Sequence, residues 1–357
     1  MKRNFKTIVV TGGAGFIGSN FIRYLFGKAG FEGRIVNLDA LSYAGNLESL
    51  ADVAEALGGR RYFFERADIC DRAAVGRIFK DYAPDAVVHL AAESHVDRSI
   101  LGPEAFVRTN VMGTFALLEA ARSAWQGRSD VLFHHVSTDE VFGSLGDSGY
   151  FNEETPYDPR SPYSASKAGS DHLVRAYHHT YGLPATLSNC SNNYGPYQFP
   201  EKLIPLMILN MLEGKSLPVY GDGRNIRDWI YVEDHNSAVW EIMERGEAGR
   251  SYAVGGENEW ENLRLLGRLI EIVAEETGEG KDRFLSLIAY VKDRPGHDRR
   301  YAIDCSRIKK ELGWKRESSF DEGLRKTVRW YLGNRKWCEN VRTGEYRNWL
   351  ERNYARR

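Results

Sequence analysis

A seven-residue stretch near the start of the chain leaves few folds open. Gly12-Gly13-Ala14-Gly15-Phe16-Ile17-Gly18 follows an apolar run over 8–11 and opens a helix-length segment over 16–28. It fits both G-x-G-x-x-G and G-x-x-G-x-x-G. A turn of this kind uses dihedrals barred to residues with a side chain, and any Cβ would hold a pyrophosphate away from the amides at the helix N-terminus. A glycine triplet alone says little in a chain with 35 glycines. Here, however, a second apolar run over 34–38 leads into Asp39, where a carboxylate would meet a ribose diol. That carboxylate repels a 2′-phosphate and no Arg follows it closely, so NAD is expected rather than NADP.

The rest of the first half repeats the alternation. Runs over 8–11, 34–38, 62–65, 86–90, 131–137 and 185–188 read as strands, and segments over 16–28, 72–82, 105–124 and 164–181 read as helices. This predicts an α/β fold, a Rossmann-type doubly wound parallel sheet with helices on both faces. After about residue 195 the pattern loosens into Pro- and Gly-punctuated segments (196–205, 215–224, 293–300) mixed with helices over 263–277 and 320–333. The expected organisation is an NAD-binding domain over 1–190 and a smaller mixed α/β lobe over 191–357 that binds substrate, with room for later segments to return to the first domain. Open α/β sheets bind ligands at the carboxyl ends of their strands, and the lobe would close over that edge.

Composition narrows the partners. Lys+Arg number 48 against 49 Asp+Glu, so the chain lacks the cationic excess of a nucleic-acid binder, and no apolar run is long enough for a membrane span. The four cysteines, Cys70, Cys190, Cys305 and Cys338, have neither disulfide-framework nor zinc spacing, which suits a reducing cytoplasm. The opening residues pass through basic side chains into a run too short for a signal-peptide core. The paired histidines His134-His135 and His178-His179 lack partners at metal spacing and read as structural, with no metal expected. Trp330, Trp337 and Trp349 read as packing.

Chemistry concentrates in two segments. Tyr163 and Lys167 stand four apart, hence on one helix face, and an adjacent cation favours the phenolate that a tyrosine base requires. With 19 tyrosines, chance supplies a second copy, Tyr24 with Lys28, which reads as the exposed end of the first helix. Tyr163 differs in having a partner segment: Ser137-Thr138-Asp139-Glu140 ends the fifth strand at the ligand edge of the sheet. Asp68-Ile69 and Leu90-Ala91-Ala92 reach the same edge from the third and fourth strands.

With Asn192-Asn193-Tyr194-Gly195-Pro196, these motifs resemble the extended short-chain dehydrogenase/reductase superfamily. Longer blocks, Asp39 to Asn46, His89 to Ile100, Thr138 to Val141, Tyr194 to Pro205, Arg227-Asp228-Trp229 and Asp293 to Asp298, resemble its dTDP-glucose 4,6-dehydratase family over nearly the whole chain. The resemblance implies an NAD-dependent lyase acting on dTDP-glucose. Tyr163 would take the C4 hydroxyl proton as NAD accepts the C4 hydride, Thr138 would bond the oxygen, and Lys167 would hold the ribose and phenolate. Glu140 would remove the C5 proton, Asp139 would protonate the departing C6 hydroxyl, and the hydride would return to C6. It further implies cofactor contacts at Gly12, Gly15, Phe16, Ile17, Gly18, Asp39, Ser42, Asp68, Ile69, Leu90, Ala91, Ala92, Thr109, Tyr163, Lys167 and Asn193. Substrate contacts are implied at Ser94, Thr138, Asn192, Lys202, Leu203, Tyr220, Arg227, Asn262, Arg294 and His297, with Asn262 preferred to Asn258. A homodimer built on the helices over 105–124 and 164–181 is implied as well. Phe142 stands where family members commonly have Tyr. The rivals are a UDP-sugar 4-epimerase or decarboxylase of the same superfamily and a non-catalytic NAD-binding regulator. Epimerases lack the Asp-Glu pair, decarboxylases keep only the Glu, and a regulator would be expected to have lost Tyr163, Lys167 or the pair.

Overall fold

The computed structural model describes residues 2–342. Trp349 lies outside the described residues. Six strands, β1 (Thr7–Thr11), β2 (Arg34–Asp39), β3 (Tyr62–Arg66), β4 (Ala86–His89), β5 (Leu132–Thr138) and β6 (Ala185–Cys190), alternate with helices. Then come β7 (Asn192–Tyr194), β8 (Leu217–Tyr220), β9 (Ile226–Tyr231), β10 (Ser251–Val254), β11 (Glu259–Glu261) and β12 (Ile288–Val291). The main sheet is parallel throughout, in the order β10-β6-β5-β4-β1-β2-β3. Its central strands β1, β4 and β5 are buried at every residue, which explains their near-continuous apolar runs. The order reverses between β1 and β4, the crevice where such sheets take ligands.

After Tyr194 the chain builds a lobe around two small sheets, β11-β9-β7 and β12-β8, with its own apolar cluster. It does not remain there. The helix Val232–Arg245, strand β10 and the segment from Ile303 to Trp314 supply side chains to the cluster beneath β1 and β2. Trp330 and Trp337 pack around Tyr197, with ring centroids 4.5 and 5.7 Å away.

Two elements differ from the expected ones. The helix expected over 105–124 is interrupted by a π-turn, Val107–Gly113, between Pro103–Phe106 and Thr114–Ala124. Asn110 anchors that turn: its Oδ1 accepts from Glu93 N, while Nδ2 donates to Glu93 O and Ser166 Oγ. The first helix ends at Phe26, capped at Gly27, so Lys28 lies past the helix. There it pairs with Glu233 on the surface, while Tyr24 is pushed up to about 12 by burial.

Candidate active site

At the β1 turn, Gly12 has φ +69°, and a Cβ there would lie 2.7 Å from Ala91 N. A Cβ on Gly18 would collide with Gly12 O. These two positions therefore require glycine, and the loop stays thin above the first turn of the helix Phe16–Phe26. Asp39, at the end of β2, accepts from Ala14 N at 2.9 Å and Leu41 N at 2.8 Å. The carboxylate thus clamps the loop and keeps a free lone pair on each oxygen. Burial raises its pKa, against the pull of those two amides.

Above the loop is a cavity of about 440 Å³, lined by every cofactor position named from the sequence, from Gly12 to Asn193. The donor set suits NAD: a glycine cradle at a helix N-terminus, a carboxylate at the end of β2, and apolar walls from Ile17, Ile69 and Ala91. Two buried polar atoms at its edge, Ser191 Oγ and Asn193 Oδ1, have no hydrogen-bond partner.

A second cavity of about 200 Å³ opens from the first toward the lobe. Every expected substrate residue lines it except Thr138, which lines the first. Asn262 lines it and Asn258 does not; the Asn258 amide side chain donates to Gly256 O. Its basic side chains are held in place. Arg227 donates to Asp298 O at 2.9 Å with its guanidinium 4.2 Å from the Tyr301 ring centre. Lys202 donates to Ser94 O at 3.0 Å, and His297 Nδ1 lies 2.6 Å from Asp293 Oδ1. Burial, together with Arg294 and Arg227, pushes the His297 pKa down to about 4, so its ring is neutral at pH 7.

Glu140 lines both cavities. β5 ends at Thr138, whose Oγ1 accepts from Glu140 N at 3.2 Å and starts a short 3₁₀ turn, Asp139–Phe142. The two adjacent carboxyls sit in different fields. Burial holds the Asp139 pKa well above the usual carboxylate range, and Glu140 and Asp228 push it further up. Burial raises Glu140 too, but Arg294, Arg227 and Lys202 all pull it back. Both are raised, Asp139 the more strongly, so Asp139 is the better placed of the two to hold a proton.

Tyr163 lies in the first turn of the helix Pro162–Tyr181, which starts in a capping box on Ser161 and ends on left-handed Gly182. Burial and Glu140 push its phenol well up, opposed by a hydrogen bond with Thr138. Lys167 Nζ donates to Val136 O at 2.9 Å. Phe142 stacks on Phe151, with ring centroids 5.2 Å apart, in an apolar cluster. His134 spends its ring nitrogens on Thr186 and Ser188. Unforeseen wall residues include Tyr43, Glu93, Glu201 and Tyr301. Glu201 had one available signal, its place beside Lys202 in the Tyr194 to Pro205 block.

The profile of the GDP-mannose 4,6 dehydratase family matches residues 9–327. The chain is 55% identical to a dTDP-glucose 4,6-dehydratase of Shigella flexneri, covering 98% of this chain and 99% of the relative. Among solved structures it resembles dTDP-glucose 4,6-dehydratase from Streptomyces venezuelae with NAD and TYD bound, at 46% identity, TM-score 0.86, covering 94% and 99% of the two chains. It also resembles a UDP-glucose 4-epimerase from Thermotoga maritima, at 29% identity and TM-score 0.80, covering 92% and 99%. Sheet order, glycine loop and near-complete coverage agree, and the chain belongs to the GDP-mannose 4,6 dehydratase family, among the dTDP-glucose 4,6-dehydratases.

Proposed function

We propose that this chain is an NAD-dependent lyase that converts dTDP-glucose to dTDP-4-keto-6-deoxyglucose with loss of water. The observation that carries the reading is the adjacent carboxyl pair at the end of β5, where burial, Glu140 and Asp228 raise the Asp139 pKa strongly while Arg294, Arg227 and Lys202 temper the rise at Glu140, which also lines the sugar cavity. An epimerase needs no such acid and base together.

The Gly12 to Gly18 amides would take the cofactor's pyrophosphate and Asp39 its ribose diol. When bound, NAD supplies a hydride acceptor for C4, a fixed positive charge and the return of that hydride to C6. Tyr163 takes the C4 hydroxyl proton, Thr138 holds that oxygen, and Lys167 adds positive charge that favours the phenolate. The resulting 4-keto group acidifies C5–H. Glu140 removes that proton while Asp139 gives its own to the C6 hydroxyl, which leaves as water, and a proton returns to C5 as C6 is reduced; each transfer contributes about 10² to 10⁴ in rate. Arg227 and Lys202 offer fixed cations to the diphosphate.

With dTDP-glucose deuterated at C4 and no added reductant, the deuterium is expected in the product's methyl group. Deuterium found in solvent would refute the internal return. Exposed Val107, Met112 and Tyr181, from the two helical stretches expected to pair, support a homodimer, checked by sedimentation velocity. Free thiols at all four cysteines support a cytoplasmic location, checked by cell fractionation.

A further inference from the structure

Asp171 lies one helical turn beyond Lys167 and is fully buried. Three side chains donate to its carboxylate and a fourth lies beside it. Ser137 Oγ and Tyr157 Oη, each at 2.8 Å, and Asn189 Nδ2, at 3.3 Å, donate to Oδ2, and His135 Nε2 is 3.1 Å from Oδ1. The same His135 nitrogen is 3.4 Å from Lys167 Nζ and 3.2 Å from Ser170 Oγ, so ammonium and carboxylate flank one nitrogen of a ring that burial keeps neutral.

A buried ammonium without a counter-charge sheds its proton. The other groups around Lys167 offer little compensation. Val136 contributes a carbonyl, Cys190 is pushed up to about 12 and stays a thiol, and His89 is held neutral by burial. Tyr163 rests as a phenol, Asp139 keeps its proton, and Glu140 answers to the cations of the sugar cavity. Arg175, from the same helix, donates to Tyr157 Oη at 3.0 Å. Asp171 is therefore the anion serving Lys167, and its donors hold its own pKa low despite burial.

We propose that Asp171, on the other side of His135 Nε2 from the ammonium, is a positioning residue that keeps Lys167 cationic, and so sets the pH range in which Tyr163 can take the substrate's proton. This rests on Tyr163 being the base. The test compares kcat against pH for wild-type and Asp171→Asn holoenzymes with dTDP-glucose. Without the carboxylate, Lys167 loses its proton at lower pH, so the alkaline limb is expected to move down by about one unit or more. The variant's loss should then be about tenfold greater at pH 9 than at pH 7. Parallel profiles, with activity lowered equally at every pH, would overturn the proposal. Should Asp171→Asn fail to fold, Tyr157→Phe removes one donor and leaves the charge. The carboxylate then takes up a proton more readily, so the acid limb moves upward, and an unmoved acid limb would overturn it equally. A wild-type enzyme without product would defeat the assigned function before any variant is compared.

Discussion

The cofactor cavity gathers the glycine loop and the strand ends of the main sheet, whereas the sugar cavity mixes apolar and aromatic side chains with fixed charges such as Lys202, Arg227 and Arg294, drawn from positions 94 to 301. The first takes its shape from the sheet: a strand end fixes where Gly12, Asp39 and Ala91 stand, and little side-chain freedom remains. The second depends on side chains that must each be held, as Arg227 is by Asp298 O and Tyr301, or Lys202 by Ser94 O. A preorganised backbone site retains its ligand, while a side-chain site can be tuned residue by residue.

Five changes would break or sharpen this contrast. Glu140→Gln, at the junction, should lower product formation about 10²- to 10⁴-fold while the oxidation step persists, seen as absorbance growing at 340 nm; unaltered product formation would show the base misassigned. Gly12→Ala should strip cofactor from the purified protein, since a left-handed alanine costs about 1–2 kcal/mol before its contact with Ala91 is counted; full occupancy by absorbance would mean the loop gives way easily. Arg227→Ala should raise KM about 10- to 150-fold, the equivalent of losing a charged hydrogen bond, with cofactor content unchanged. Calorimetry on Asp139→Asn should report a pH-dependent gain. The Asp139 pKa is raised by folding, so its favourable contribution is complete below the ordinary carboxyl pKa, near 4, and fades as pH rises toward the folded value. The variant's Tm relative to wild type should therefore be higher at pH 8 than at pH 5, by about 2–4 °C. Phe142→Tyr should matter least to turnover, changing kcat less than about twofold, while burying its hydroxyl in its apolar cluster costs about 1–3 kcal/mol of stability.

The same contrast explains what was legible in the sequence. Glycine spacing, Asp39 and the strand-end motifs are local signals, so the parallel sheet and its ligand edge could be read residue by residue. The π-turn at Val107–Gly113 could not, because Asn110 bonds to Glu93 and Ser166, both distant in sequence. Nor could the placement of Lys167 Nζ on Val136 O, which depends on β5 passing beside the helix. Most of the sugar cavity was reached through resemblance alone, since Asn262, Arg294 and His297 have no spacing that links them. Tyr301 was missed because a buried wall residue has no pattern of its own, and Glu201 had only its place beside Lys202 to mark it.

The return of β10 to the edge of the main sheet, with Ile303 to Trp314 sealing the cluster beneath, has a consequence during synthesis. A ribosome that has released only the first 190 residues has delivered six strands with β6 unpaired along one side and much of the apolar floor still bare. The nascent sheet waits about sixty further residues for β10 to cover that edge and more than a hundred for the 303–314 segment to seal the floor. Early termination would leave a sticky fragment instead of a small working domain, to be seen as chaperone retention or aggregation of products cut near residue 190.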